Sequence, residues 1–178
     1  MTQDRLDGPA VRAATHADIP ELVRLRGVAL AALGVDPGPA DAPWRAAAAE
    51  WFAVRIGHRA DWACRVVGGA PGEPLLATGA AWLTHHLPHP GRLDGVRGYL
   101  DAIVTDEPAR GRGHGARIVT ELVAWLAGLG VELVQLHASA DGEPVYRRLG
   151  FEDARFPAMD LFLSPAAPAA GSSPGNRA

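Results

Sequence analysis

Apolar positions along the chain recur at two spacings, one matching helices and one matching strands. Thr15, followed three residues on by Asp18, has the form of a helix-opening capping box, and Ile19, Leu22, Val23, Leu25 and Leu30 continue it as a buried helical stripe. A short strand at Ala10 to Ala13 precedes that helix. Trp44 to Ile56 (WRAAAAEWFAVRI) is rich in alanine and predicts a second helix, with Trp44, Trp51 and Phe52 at helical spacing read as core. Trp62 to Val67 and Leu75 to Thr84 are apolar, partly β-branched runs separated by GGAPGE, the pattern of a hairpin. Tyr99 to Thr105 is a further strand, and His114 to Leu129 a helix in which Ile118, Leu122, Trp125 and Leu129 share one face before Gly130 ends it. Val131 to His137 is a nearly continuous apolar strand, Gly142 to Leu149 a short helix and Ala158 to Leu163 a last strand. Strands joined by short loops pair antiparallel, whereas Tyr99 to Thr105 and Val131 to His137, joined through a helix, pair parallel. The class is therefore α/β (α+β), built on a mixed, mostly antiparallel sheet flanked by helices.

Composition narrows the chemistry. A length of 178 residues leaves room for one domain, and 48% hydrophobic with 21% charged residues is the balance of a folded globular chain. Residues 1–9 and the Pro/Ala/Gly/Ser-rich residues 164–178 lack large apolar runs and are expected to be loose flanks of a single domain at 10–163. A net charge of -3 does not favour nucleic acid as a partner. All seventeen basic residues are arginine, which excludes a Schiff-base lysine and a Walker-type phosphate loop. Cys64 is alone, so no internal disulfide or multi-cysteine zinc site can form, and its place inside a strand reads as a small buried apolar residue. The opening MTQDRLDGPA is not an apolar signal segment and no apolar run reaches the roughly 20 residues of a membrane span, so a cytoplasmic protein without membrane contact is expected.

The most informative segment is Thr105 to Ala116, TDEPARGRGHGA, between a strand and a helix start. Gly111, Gly113 and Gly115 remove Cβ atoms where the backbone must bend and approach a ligand, and the helix start presents free N–H groups at a positive dipole end. Arg110 and Arg112 add charge-assisted donors suited to phosphate, so a pyrophosphate-bearing guest fits better than a merely solvated turn. GRGHGA also satisfies the loose dinucleotide signature, with Glu132 about twenty residues on. The context argues against that reading: DEPAR separates strand from turn, and Glu132 opens the next strand where the ribose-binding acid belongs at its end.

With these residues in place the chain resembles the GNAT superfamily of acyl-CoA-dependent N-acyltransferases, whose turn reads Arg or Gln, two residues, Gly, one residue, then Gly or Ala. Arg110, Gly113 and Gly115 match it. VRAATHADIPELVRLR at Val11 looks like the family's opening strand and helix, VTDEPARGRG like its fourth strand and cofactor turn, and LHASADGEPVYRRLGF at Leu136 like its closing section. The resemblance implies acetyl-CoA as co-substrate, with no metal, bound across a split between the two parallel strands. Its pyrophosphate would rest on Gly111, Arg112, Gly113, His114, Gly115 and Ala116, and its pantetheine arm on backbone groups of Ile103, Val104 and Thr105 as an added strand. Tyr146, four residues before Gly150, matches the family's general acid for the departing thiolate, against the reading of a core tyrosine. Ser139 stands where similar proteins place Asn or Ser near the pantetheine arm, and a plain helix cap explains it equally.

Alternation along Tyr99 to Thr105 puts Tyr99, Asp101, Ile103 and Thr105 on one face. Many members carry Glu near the start of this strand; here Asp101 is the candidate base or water-relay partner, competing with an orienting or structural carboxylate. An amine with an accessible free-base form needs little help, so a dedicated base is not required. His85, His86 and His89 in THHLPHPGRLDG are better read as a wall of the acceptor pocket than as metal ligands, with Asp94, Arg97 and Tyr99 lining it as well. The expected activity is acetyl transfer from acetyl-CoA to a primary amine of a small molecule or peptide by direct attack in a ternary complex. A noncatalytic acyl-CoA-binding or sensing module is the competing reading, and a nucleotide-dependent oxidoreductase a distant third. The acceptor pocket falls in the segments 36–59 and 84–97, which leave the amine unnamed, and a homodimer is compatible with the resemblance.

Overall fold

The structure, a computed structural model, describes residues 9–57 and 60–161. Its elements in chain order are β1 (Val11–Ala13), α1 (Ile19–Ala32), α2 (Pro43–Ile56), β2 (Trp62–Gly68), β3 (Leu75–His85), β4 (Val96–Thr105), α3 (His114–Gly128), β5 (Val134–Gln135) and α4 (Glu143–Arg148). The five strands form one sheet in the order β1-β2-β3-β4-β5, antiparallel throughout except for the parallel pair of β4 and β5. Both the hairpin and the parallel crossover expected from loop lengths are present.

The capping box is realised around Asp18. Its carboxylate accepts from the Thr15 amide at 2.7 Å and, on both oxygens, from Arg12 at 2.8 Å, with no side-chain exposure. A 3-10 turn, His16–Asp18, then leads into α1. Helices α1 and α2 cover one face of the sheet, where Leu22, Leu25, Phe52, Ile56, Val66 and Val104 are buried together. Helix α3 covers the other, packing Ile118, Val119, Leu122 and Leu126 on Val67, Ala77 and Leu100. Cys64 is buried in the first of these layers, and burial pushes its thiol up to about 11, which suits a packing residue and not a nucleophile.

Four expectations are corrected. The buried stripe of α3 runs through Ile118, Val119, Leu122 and Leu126, with Trp125 only half-buried and Leu129 45% exposed. Leu129 belongs to the helix end: the Gly130 amide bonds the Ala127 carbonyl and the Val131 amide bonds Leu126, a Schellman closure around Gly130 at φ +79°. That use of Val131 also explains why the strand expected from Val131 to His137 shrinks to Val134–Gln135, since its start closes a helix and its end has no backbone partner among the described residues. The last strand expected over Ala158 to Leu163 is not formed in its described part: residues 158–161 pair with no described residue, Met159 and Leu161 are exposed, and Phe162 and Leu163 lie outside the described residues. A two-residue β5 offers too short an edge to receive it.

The fourth correction concerns β4. Opposite the single residue Gly79, between the pairs Thr78 with Val104 and Ala80 with Asp101, β4 carries two residues, Ala102 and Ile103. This is a β-bulge, and Ala102 takes a left-handed φ of +54° to make it. Alternation breaks there. Tyr99 and Asp101 stay on the α1/α2 face, whereas Ile103 turns to α3, where it packs with Ile118 and Leu122.

Candidate active site

Among the described residues only Gly98 with Val134 and Tyr99 with Gln135 are in register, so beyond Tyr99 the two strands part and the outer edge of β4 from Leu100 to Thr105 has no described strand beside it. Roughly 20 Å of strand edge separates Tyr99 from the turn after Thr105, at about 3.3 Å per residue. Ile103, Val104 and Thr105 lie on this open edge, which can accept an extended ligand by main-chain hydrogen bonds.

At the far end of that edge stands the glycine-rich turn. Asp106 accepts from the Glu107 amide and is held by Arg24 of α1 at 3.0 Å, so the frame grips the turn just before it bends. Gly111 at φ +77° and Gly113 at φ +79° occupy the left-handed region, and space is open within 4 Å of the Cβ each lacks. Among the described residues the Gly111 and Arg112 amides donate to no protein acceptor, and the first amides of α3 have no intrahelical partner. Gly115 lies 3.5 Å, measured from an ideal Cβ, from the Thr105 hydroxyl, which brings the helix start against the strand end. The His114 ring turns inward and is buried; burial and then Arg117 and Arg112 hold its pKa below the usual imidazole value, so only its backbone faces the turn. Arg110 and Arg112 remain exposed beside these amides. The turn fits an anion with several oxygens.

At the near end, residues distant in sequence converge. Tyr99, His137 and Tyr146 line one cleft of about 1630 Å³, together with Thr84, His85, His86 and Arg97. The Tyr99 ring packs on Trp82 with centroids 5.2 Å apart, and its hydroxyl meets His137 Nδ1 at 2.9 Å. Tyr146 projects from α4, its ring edge-on to Phe151 at 5.8 Å. Burial, and then the charge of Asp101, raise the pKa of both Tyr99 and Tyr146, so one carboxylate lies within electrostatic reach of two phenols. Asp101 itself is exposed and accepts from the Ala102 amide at 2.7 Å, its oxygen lying over the bulge.

The remaining candidates divide. Ser139 uses its hydroxyl to accept from the Gly142 amide at 3.2 Å, in front of α4. His89 bonds Gly91 within its own loop, and Asp94 accepts from Arg92 and Val96, away from the cleft. Glu132, 80% exposed, pairs with Arg92 at 2.9 Å, and the mixed sheet has no doubly wound crevice for a dinucleotide. Trp51 stands half-exposed under the Arg55 guanidinium, while Phe52 is core. His137 is the second residue of the LHASADGEPVYRRLGF stretch and ends the apolar run before it, but neither signal assigns its side chain a role. Among the described residues no helix is long and apolar enough to cross a membrane.

The acetyltransferase (GNAT) family matches residues 32–151 of the chain. A comparison with curated proteins returns no match. Similar solved structures include a predicted acetyltransferase with acetyl-CoA from Clostridium acetobutylicum, at TM-score 0.72 and 23% identity over 85% of this chain and 96% of that one. A GCN5-related N-acetyltransferase from Ralstonia eutropha JMP134 follows at 0.68 and 24% over 85% and 97%. Glucosamine-6-phosphate N-acetyltransferase from Arabidopsis thaliana stands at 0.68 and 18% over 86% and 97%. At these identities the likeness carries the fold.

Proposed function

The chain belongs to the GNAT family of acetyltransferases, and on that premise we propose that it moves an acetyl group from acetyl-CoA to a primary amine, by direct attack with both substrates bound. The observation that carries the reading is the continuity of the open β4 edge, with an anion cradle at one end and a cleft containing Tyr146 at the other. The amides from Gly111 to Ala116, with Arg110 and Arg112, would hold the pyrophosphate, and the edge at Ile103, Val104 and Thr105 the pantetheine arm. When bound, the co-substrate supplies the thioester as acyl electrophile.

What the chain's own residues do follows from their placement. Tyr146, held protonated by burial and by Asp101, donates its phenolic proton to the departing sulfur. Asp101, the candidate base or water-relay partner of the sequence reading, has one oxygen over the Ala102 amide and serves as the charge that draws the acceptor's ammonium. A noncatalytic sensing role is disfavoured because the phenol is kept in its acid form inside a cleft wide enough for a second substrate.

Thiol release from acetyl-CoA is to be measured across aminoglycosides, polyamines, amino acids, arylamines and basic peptides. Release with one class is expected, and Tyr146→Phe should cut its turnover about 100-fold while leaving CoA binding by calorimetry unchanged. Silence of the wild-type protein with every amine would favour the sensing module.

A further inference from the structure

We propose that the acceptor's ammonium proton leaves the site through Tyr99 to His137, a two-residue relay in which the phenol touches the amine and the imidazole is the terminal acceptor. The proposal rests on the acetyl-transfer reading above. Its starting observation is the 2.9 Å contact of the Tyr99 hydroxyl with His137 Nδ1, made across the splay between residues 38 apart in sequence. With its proton on Nε2, neutral His137 accepts at Nδ1 and the Tyr99 hydroxyl donates. That leaves a lone pair of the Tyr99 oxygen for the cleft that both residues line with Tyr146.

The transfer balances without a phenolate. The ammonium N–H breaks as a new O–H forms on Tyr99, the old Tyr99 O–H breaks as an N–H forms on His137, and the exposed imidazolium returns its proton to water. Concert matters because burial and Asp101 both oppose ionisation of Tyr99, so the phenol cannot act as a base by itself, but it can pass a proton on. The register makes the pairing possible: Tyr99 stands beside Gln135, and His137 follows two residues on, just past the end of β5, where its ring reaches the Tyr99 hydroxyl. Packing of Tyr99 on Trp82, its partner across β3, holds the ring in that direction.

The charged and titratable groups facing the cleft that holds the pair are Arg97 and Asp101 on β4, His85 and His86 at the end of β3, Glu132 before β5, Tyr146 and the Glu143–Arg147 ion pair on α4, and Glu152, Asp153 (paired with Arg147) and Arg155 after it. Arg97 and Arg155 resist a second positive charge, and Asp101, Glu143, Glu132, Glu152 and Asp153 favour it.

The test is the pH profile of kcat/KM for thiol release with the amine found above, for the wild type, Tyr99→Phe, His137→Ala and His137→Asn. The wild type should show a one-proton limb on its acid side. All three variants should lose between about 10²- and 10⁴-fold, and both His137 variants should lose the limb. His137→Asn is decisive, because its amide oxygen stands where Nδ1 stood and can still accept from the Tyr99 hydroxyl but cannot take up a proton. Recovery of wild-type rate and limb in His137→Asn would make the histidine a mere support for the ring and overturn the relay, as would an unchanged profile in His137→Ala. Imidazole titration by NMR adds a readout independent of turnover: Tyr99→Phe should shift the His137 tautomer balance away from Nε2–H, and an unmoved balance would overturn the hydrogen bond itself. A wild-type protein that releases no thiol fails the acetyl-transfer reading and the relay with it, whereas an active wild type with indifferent His137 variants fails the relay alone.

Discussion

A single buried carboxylate joins three parts of the frame. Burial opposes the charge of Asp18, but it accepts from Arg12 of β1, from the Thr15 cap and from the Gly72 amide in the β2–β3 turn, and these bonds together outweigh the burial and hold it ionised well below the usual carboxylate range. Because its folded-state pKa lies below the unfolded value, its contribution is complete above about pH 4 and is lost as pH falls through the folded pKa. Asp18→Asn should cost about 3 kcal/mol of unfolding free energy at pH 7, and the gap from wild type should shrink steadily below about pH 4 in urea titrations. Thr15 and Asp18 were legible in sequence because a cap is a contact over three residues. The link from Tyr99 to His137 was not, since only the meeting of two strands puts them within reach.

Elements carry the site by how closely they approach. Gly79 faces the β4 bulge, and a Cβ there would fall 2.5 Å from Ile103 Cδ1 and 2.6 Å from Ile118 Cγ2, both in the layer between sheet and α3. Gly79→Ala should therefore destabilise by about 2 kcal/mol through overpacking and push β4 from α3 at the level of the site. Gly79→Ala with Ile103→Val, which removes the nearer methyl, should recover part of that loss, a coupling read from a double-mutant cycle of chemical unfolding. Strand, turn and helix around Thr105 to Ala116 were readable because glycine spacing and helix starts are local signals. The bulge was not: Ala102 is an ordinary strand residue by sequence, and its φ of +54° is imposed by the packing of its neighbours.

At the scale of the whole molecule, the cradle and the cleft sit on opposite ends of one strand gripped between two helical layers, so a ligand spanning both should stabilise the fold as a unit. CoA at about 100 times its Kd should add about 2.7 kcal/mol, raising Tm by roughly 5–10 °C for a domain of this size. In Gly113→Ala, which forces a Cβ onto a backbone at φ +79°, the rise at the same CoA concentration should be smaller when followed by thermal scanning. Legible in the chain alone were the order of elements from β1 to α4, the parallel crossover, the capping box and the glycine turn with its arginines, because each rests on interactions between residues near in the chain or on the period of a single element. Folding in three dimensions settled the length of β5, the course of residues 158–161 away from every described strand, the break of alternation at Ala102 and the convergence of Tyr99, His137 and Tyr146 on one cleft with the charge of Asp101 nearby. Those features depend on which strands find partners and where two of them part, and a strand's pairing energy lies in its neighbours.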